Sequence, residues 1–422
     1  MTSPTKTENL DGIDAWQAAK LMILAGSLIV AISLGVRHSF GLFLQPMTIE
    51  NGWGRETFAL AIALQNLMWG AAQPFAGMLA DRFGASRVII GGALLYVAGV
   101  YLMGQPLGEL GFILAAGVLI GIGQAGTTFP VVFGAISRAL PPERRSLAMG
   151  ITMSVGSFGQ FAVLPLITPA IDGFGATATL VGLAMLTALI LPLSYLMRED
   201  RMGSGRSPAA VQTAAAPAGP NAWDALREAC GNRDFILLTL GFFVCGFQVV
   251  FIALHIPAFL QGQGVVDPMV ATMVLALIGL ANIGGTFFAG YWGGKHSKPY
   301  LLSAIYAGRA VVILVFIMVP ITTMTAYLFA IAMGFLWLST VPPTNGIIAG
   351  VFGVKNMSML GGVVFFAHQI GAFLGGWLGG YVYDQTGSYN VVWWIAIALG
   401  LFAALVNLPI KEQPVIRPAV AT

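Results

Sequence analysis

The chain reads as long apolar runs separated by short polar turns. Leu21 to Met47 (LMILAGSLIVAISLGVRHSFGLFLQPM) sets the pattern: about sixteen uncharged residues, then Arg37 and His38, then a further apolar run from Phe40 to Leu44. A run of about 20 apolar residues is what an α-helix needs to cross the hydrocarbon core of a bilayer. Bounding such runs by charges and turn residues predicts helices near 20–45, 57–80, 87–104, 111–139, 146–170 and 175–197. A second set follows near 234–260, 269–293, 299–319, 325–350, 357–382 and 390–410. Between them, 198–233 contains the low-complexity piece GSGRSPAAVQTAAAPAGP (203–220), which reads as a flexible linker. The expected chain is an all-α membrane protein with twelve transmembrane helices. Its parts are an N-terminal tail 1–19, a six-helix bundle 20–197, a linker 198–233, a second six-helix bundle 234–410 and a C-terminal tail 411–422.

Composition agrees with a membrane setting. Hydrophobic residues make up 57% of the chain and charged residues 9%, against about 25% charged in a soluble domain. A β-barrel would need short alternating segments, and the runs do not alternate. Apart from Arg37 and Arg309, which fall within helices, only Arg55 among the Lys and Arg lies opposite the side of the linker. Such an excess places the tails and the linker in the cytoplasm. The net charge of +3 therefore marks topology, and no nucleic-acid partner is expected. The first apolar run is too long for a signal-peptide core and lacks a small-residue cleavage site, so the first helix is read as retained. Cys230 in a polar loop and Cys245 inside a helix suggest no disulfide.

The two sets of helices echo one another at an offset of about 212 residues. Gly77 corresponds to Gly290, Pro130 to Pro343, and Asp172-Gly-Phe-Gly to Asp384-Gln-Thr-Gly. Two repeats on either side of the linker place a substrate site at their interface, near the midplane.

The loop Gly77-Met-Leu-Ala-Asp81-Arg82-Phe-Gly84-Ala-Ser-Arg87 resembles the signature of the major facilitator superfamily, and the twelve-helix pattern extends that resemblance over the whole chain. More narrowly, RHSFGLFL (37–44), FVCGFQVVFIALHIPAFL (243–260) and VFFAHQIGAFLGGWLGGYVYDQTGSYN (364–390) look like the bacterial monocarboxylate-transporter-like branch beside the oxalate/formate antiporters. The resemblance implies a cytoplasmic gate in which Asp81 accepts N–H groups at a neighbouring helix N-terminus, with Arg82 and Arg87 pairing to acids or phospholipid. Topology alone would also place Arg82 and Arg87 there. The second-half counterpart lacks the acid and carries Lys295 and Lys298, so a gate on that side must work differently.

Several motifs depart from the family or fall away. The fourth predicted helix has Gly117 and Val118 where many members carry an arginine, and Gln160 follows Gly159 where drug antiporters tend to have proline. Asn282 and Thr286 stand where mammalian monocarboxylate carriers hold an acid and an arginine; the arginine and lysine pattern of oxalate exchangers is missing too. Gly121-Ile-Gly123-Gln-Ala-Gly126 matches a dinucleotide fingerprint but lies inside a spanning helix with no preceding strand, so it reads as close helix packing. Pro342-Pro343 should bend or unwind its helix and free carbonyls.

The interior chemistry is cationic. Every Asp and Glu falls in a loop or at a helix end, while Arg37 and Arg309 lie deep, with His38, His255 and His368 as further sites of positive charge. An arginine at a membrane helix centre costs roughly 2.5–3.5 kcal/mol, which points to function; snorkelling is the competing account. A cavity lined by cations and no acid selects an anion that supplies the counter-charge. Arg37, His38, Gln124, Asn282, Arg309, His368 and Gln369 are the candidate substrate ligands; His38, His255 and His368, with a pKa near 6.5, can carry a coupled proton or line the entrance. A structural role competes for each histidine and for Arg309.

The expected activity is secondary active transport of a small organic anion, a monocarboxylate, by alternating access with proton symport or anion exchange. The alternative is an exporter of hydrophobic or zwitterionic compounds. A membrane receptor or an enzyme is remote, since no nucleophile–base pair or metal-spaced cluster is visible. No cofactor or metal is expected. The partners are the anion, the bilayer of the cell membrane and a co-transported proton, and the chain is expected to be a monomer.

Overall fold

A computed structural model of the chain describes residues 6–53, 55–198, 220–265 and 267–415. Each predicted apolar run is a helix: α1 (Lys6–Ser39), α2 (Arg55–Phe83), α3 (Ala85–Met103), α4 (Gly108–Ala139), α5 (Pro142–Phe174) and α6 (Ala176–Leu196). The second set is α7 (Arg233–Gly262), α8 (Pro268–Gly293), α9 (Lys298–Met318), α10 (Thr323–Phe352), α11 (Met357–Thr386) and α12 (Asn390–Asn407). Eleven of these are long and apolar enough to cross a membrane; α2 carries Gln65, Asn66 and Gln73 in its middle. Most of the low-complexity piece, 203–219, lies outside the described residues.

The boundaries differ from expectation in two places. α1 starts at Lys6 and so takes in most of the predicted N-terminal tail. The linker ends in a helix, Ala222–Gly231, that apolar-run length alone would not reveal: Asn221 caps it by accepting the Asp224 N–H at 2.9 Å, and Ala225 and Ala229, one turn apart, are buried. Past α12 the chain folds back on the second bundle, with Val415 donating its N–H to the Val351 carbonyl at 2.9 Å and Glu412 paired to Lys298 at 2.8 Å.

Tight turns join neighbouring helices where glycine permits a left-handed backbone. Gly84 at φ +90° is the single residue between α2 and α3, and Gly175 at φ +83° serves between α5 and α6. The repeat shows in how the helices break. α4 is interrupted at Thr128, two residues before Pro130, and α10 over 337–340, just before Pro342 and Pro343. Proline lacks the N–H that would continue the ladder, so both breaks have one cause.

The halves meet chiefly along two helix pairs, α2 with α11 and α5 with α8. A Cβ on Gly77 would run into the Ser358 carbonyl, and one on Gly290 would lie 2.8 Å from the Ser146 oxygen and 2.5 Å from the Gly150 Cα. Gly77 with Gly290, and Ser146 with Ser358, stand at the offset read from the sequence, so the two seams are pseudo-equivalent.

Candidate functional site

The seams run from the linker end to the middle of the helices. On one, Asp81 meets α11 at the linker end and Gln369 donates to the Asn66 carbonyl at 3.2 Å at the inner limit. On the other, Gly150 packs on Gly290 at the linker end; further in, Ser154 bonds Thr286 at 3.1 Å and Asn282 donates to Ser157 at 2.8 Å. Next to the inner limit, α1 presents Arg37.

Helix geometry fixes what α1 shows to each neighbour. Gly35 packs on the Gly159 carbonyl of α5, and Val36 joins the core of its own bundle. Arg37 donates through Nη2 to Asn66 Oδ1 of α2, with its guanidinium carbon 4.8 Å from the Trp69 ring centroid. Steps of about 100° per residue therefore leave His38 on the arc between α2 and α5, the two helices that touch the other half. His38 is exposed there, and its Nδ1 donates to the Leu34 carbonyl at 2.7 Å, which leaves Nε2 directed away from its own helix. Arg37 is half-buried, its Nε is buried without a hydrogen-bond partner, and its contacts among the described residues include no carboxylate.

Beneath Arg37 lies a floor of aromatic rings drawn from both halves. Trp69 of α2 packs on Phe365 of α11 at 4.8 Å, and Phe129 of α4 meets Phe365 edge-on at 5.1 Å. His368 stacks on Phe365 at 5.5 Å and lies 5.1 Å from Phe242 of α7. Trp69 is anchored by its Nε1, which donates to Gln73 Oε1 and Thr128 Oγ1, each at 3.1 Å; Thr128 is the residue at the break in α4. His368 also pairs with Gln369 Oε1 at 3.3 Å. Asn66 thus links Arg37 to Gln369, and Trp69 links it through Phe365 to His368, while His38 lies beside Arg37 on the exposed arc between α2 and α5.

The remaining candidates lie elsewhere. Gln124 is buried inside the first bundle, donating to the Tyr96 hydroxyl at 3.3 Å, with Oε1 unpartnered. Asn282 is engaged at both ends: Nδ2 on Ser157 and Oδ1 accepting the Leu338 N–H at 2.9 Å in the break of α10. Arg309 is fully buried and caps that same break. Its Nε and Nη2 donate to the Leu336 carbonyl at 3.1 and 2.8 Å, Nη2 also reaches the Trp337 carbonyl, and Nη1 lies 3.4 Å from Gln248 Oε1. Those are carbonyls that the break before Pro342 sets free, and a guanidinium can satisfy two of them at once. His255 donates to the Gly376 carbonyl of α11 at 2.8 Å.

At the linker end, the Asp81 carboxylate accepts the N–H groups of Ser358 at 3.2 Å and Met359 at 2.9 Å, the first turn of α11, and pairs with Arg138 of α4 at 2.6 Å. Unpaired N–H groups at a helix start attract a carboxylate. Arg82 and Arg87 are exposed, Arg82 with its guanidinium 5.1 Å from the Phe83 ring centroid; the cation that meets Asp81 is Arg138. Sequence reasoning misses Asn66, Trp69 and Arg138. The available signal for the first two is the spacing of Asn66, Trp69 and Gln73 at i, i+3 and i+7, a polar stripe on an otherwise apolar helix.

Comparison with known proteins identifies the architecture. Residues 23–376 match the model of the Major Facilitator Superfamily. The chain is 24% identical over 409 residues to monocarboxylate transporter 13 of Rattus norvegicus, covering 96% of this chain and 91% of that one. It is 24% identical over 411 residues to the oxalate:formate antiporter of Oxalobacter formigenes, covering 94% of each. In fold it is similar to the proton:xylose symporter XylE, with a TM-score of 0.70 at 14% identity over 94% of this chain and 95% of that one. A helical membrane protein of two pseudo-equivalent six-helix halves, with a match across most of its length, this chain belongs to the major facilitator superfamily.

Proposed function

We propose that this transporter moves a small organic anion, a monocarboxylate, by alternating access, and that Arg37 is its anchor. The observation that carries this is the half-buried Arg37 beside the aromatic floor, with a buried Nε lacking a partner and no carboxylate in contact among the described residues. A cation left in that condition is stabilised by an anion that brings its own charge and accepts the free N–H. An exporter of neutral hydrophobic compounds would leave that charge uncompensated through the cycle. The names of the relatives support the same substrate class: one is a monocarboxylate transporter and one exchanges oxalate for formate.

The remaining roles follow from placement. Asn66 orients the carboxylate, Gln369, engaged by the Asn66 carbonyl and by His368, ties α11 to the site, and His38 lies on the exposed arc beside Arg37. Asp81 with Arg138 holds the linker side shut, the cytoplasmic side by the distribution of Lys and Arg. Asn282 and Arg309 support the break in α10, and Gln124 braces the first bundle. The protein works as a monomer, since both halves of the cleft come from one chain. Coupling is by proton symport, with His38 and His368 as carriers, or by anion exchange. Counterflow into proteoliposomes with a panel of labelled mono- and dicarboxylates is the test. Uptake of a monocarboxylate is expected; no uptake of any organic acid would refute the proposal. An alkaline pulse separates the coupling modes, slowing a symporter and leaving an exchanger unchanged.

A further inference from the structure

An anchor that lies wholly in one half cannot drive alternating access by itself. A ligand shifts an equilibrium between two states only by the difference in its affinity for them, and an anion touching Arg37 alone would meet the same group in both. The state dependence needs a group that touches Arg37 and also the other half. Two such contacts are present, both through one turn of α2. Arg37 donates to the Asn66 side chain, while the Asn66 carbonyl accepts Gln369 Nε2 of α11 at 3.2 Å. The Arg37 guanidinium lies against Trp69, while Trp69 packs on Phe365 of α11 at 4.8 Å.

We propose that Asn66 and Trp69 are positioning residues that relay occupancy of Arg37 to α11, with Trp69 as the principal member. The inference rests on Arg37 as the anion anchor. With the anchor empty, the guanidinium has the Asn66 oxygen and the Trp69 ring as its partners, and the floor is closed. An arriving carboxylate competes for the same guanidinium. As it withdraws from Trp69 and Asn66, the two groups that hold α2 to α11 above the floor lose their common support, and the Trp69 to Phe365 contact weakens. Trp69 is suited to this because Nε1, shared between Gln73 and Thr128, ties one edge of the ring to the break in α4, while its faces meet Arg37 and Phe365 without a hydrogen bond. The Trp69 ring thus transmits a charge event in one half as a packing event at the interface.

The test is a thiol reporter on the linker side of the other seam. Ser146→Cys, in a Cys230→Ser, Cys245→Ser background, places a thiol where Ser146 is buried against Gly293 of α8, so that it reacts with a maleimide only when the halves part there. Lactate and benzoate serve as probe anions. In the parent the anion is expected to change the labelling rate. Trp69→Leu is expected to raise the ligand-free rate roughly two- to tenfold, the size of one aromatic pair, to bind the anion no more weakly than the parent because Arg37 is intact and a competing partner of its guanidinium is gone, and to abolish the anion-dependent change. Trp69→Phe keeps a ring for both contacts and should restore the anion response. Phe365→Leu removes the same contact from the opposite helix, so it should reproduce Trp69→Leu, and the double variant should be no worse than either alone. Trp69→Leu or Phe365→Leu labelled at the parent rate without ligand, or responding to the anion as the parent does, would overturn the relay. Loss of the anchor looks different: Arg37→Gln loses the anion response with a raised Kd. If neither anion binds the parent, the anchor proposal fails for these probes and the relay falls with it; if the anion binds and shifts labelling in Trp69→Leu as in the parent, the relay alone fails.

Discussion

Replacing Asp81 by Asn exchanges one oxygen for an NH2 group and removes one charge at the linker-side seam. In the closed arrangement the carboxylate accepts two N–H groups across the seam, from Ser358 at 3.2 Å and Met359 at 2.9 Å, and is itself oriented by Arg138 in its own half. The Arg138 pair lies within one half and persists when the halves part, so only the two cross-seam bonds bias the equilibrium. Hydrogen bonds to a charged group contribute about 1.5–3 kcal/mol each, and a neutral one about 0.5–1.5 kcal/mol. Asn can keep one neutral bond and must turn its NH2 toward a second N–H, so the closed state should lose about 2–4 kcal/mol, roughly a 30- to 1000-fold shift toward linker-side opening. The Ser146→Cys reporter measures this directly: maleimide labelling in proteoliposomes should approach completion in Asp81→Asn under conditions that leave the parent mostly unlabelled. Counterflow should slow, because the state open on the far side becomes rare. Unchanged labelling in a folded Asp81→Asn protein would refute the assignment of Asp81 as the bond that closes this seam.

Three further substitutions separate binding from support. Arg37→Gln should abolish counterflow of any monocarboxylate that the parent carries, with Tm in detergent unchanged; retained transport would return Arg37 to a packing role. Arg309→Lys should lower Tm while leaving anion Kd unchanged, because one ammonium cannot replace a guanidinium fork on the Leu336 and Trp337 carbonyls; a lost Kd at unchanged Tm would make Arg309 a ligand after all. Gly290→Ala places a methyl 2.5 Å from the Gly150 Cα, so the α5 to α8 seam must open, and Ser146→Cys labelling should rise as it does in Asp81→Asn. Wild-type labelling in that variant would show that the seam tolerates separation without a change of state.

The fold was open to inspection in the sequence because its determinants are local. Apolar runs of bilayer length, the charges between them and the prolines at positions 130 and 343 each act on their own segment, and the helices and both breaks appear where those signals stand. Arg37 is conspicuous for the same reason, as a charge inside an apolar run. What surrounds it is not, because Asn66, Trp69 and Phe365 come from other helices and their proximity is a fact of packing. Arg309 illustrates the limit most sharply. In sequence it resembles Arg37, a lone intramembrane cation without an acid. In the structure its acceptors are main-chain carbonyls, which every residue possesses and no letter code marks. Arg138 is obscured differently: among many cations on the linker side, nothing in its neighbourhood distinguishes the one that meets Asp81.

The two seams solve one problem by different chemistry, and the difference bears on how the transporter cycles. Across α2 and α11 the seam is bridged by a carboxylate on main-chain N–H groups; at the equivalent position of the second half stands Gly294, and the contact there is Gly150 against Gly290 with Ser154, Thr286 and Asn282 bonded further in. A charged seam is strong when dry and weak when wetted, so it releases sharply once water enters. A seam of small residues has little to lose to water and separates without a charge penalty. Asn282 sits on the second seam and also holds the Leu338 N–H in the break of α10, so movement there reaches α10 through a hydrogen bond. Release of Asp81 would then let both seams part together at the linker end, which is the movement that a thiol at position 146 reports. The relay through Trp69 then acts on the seam that has to let go.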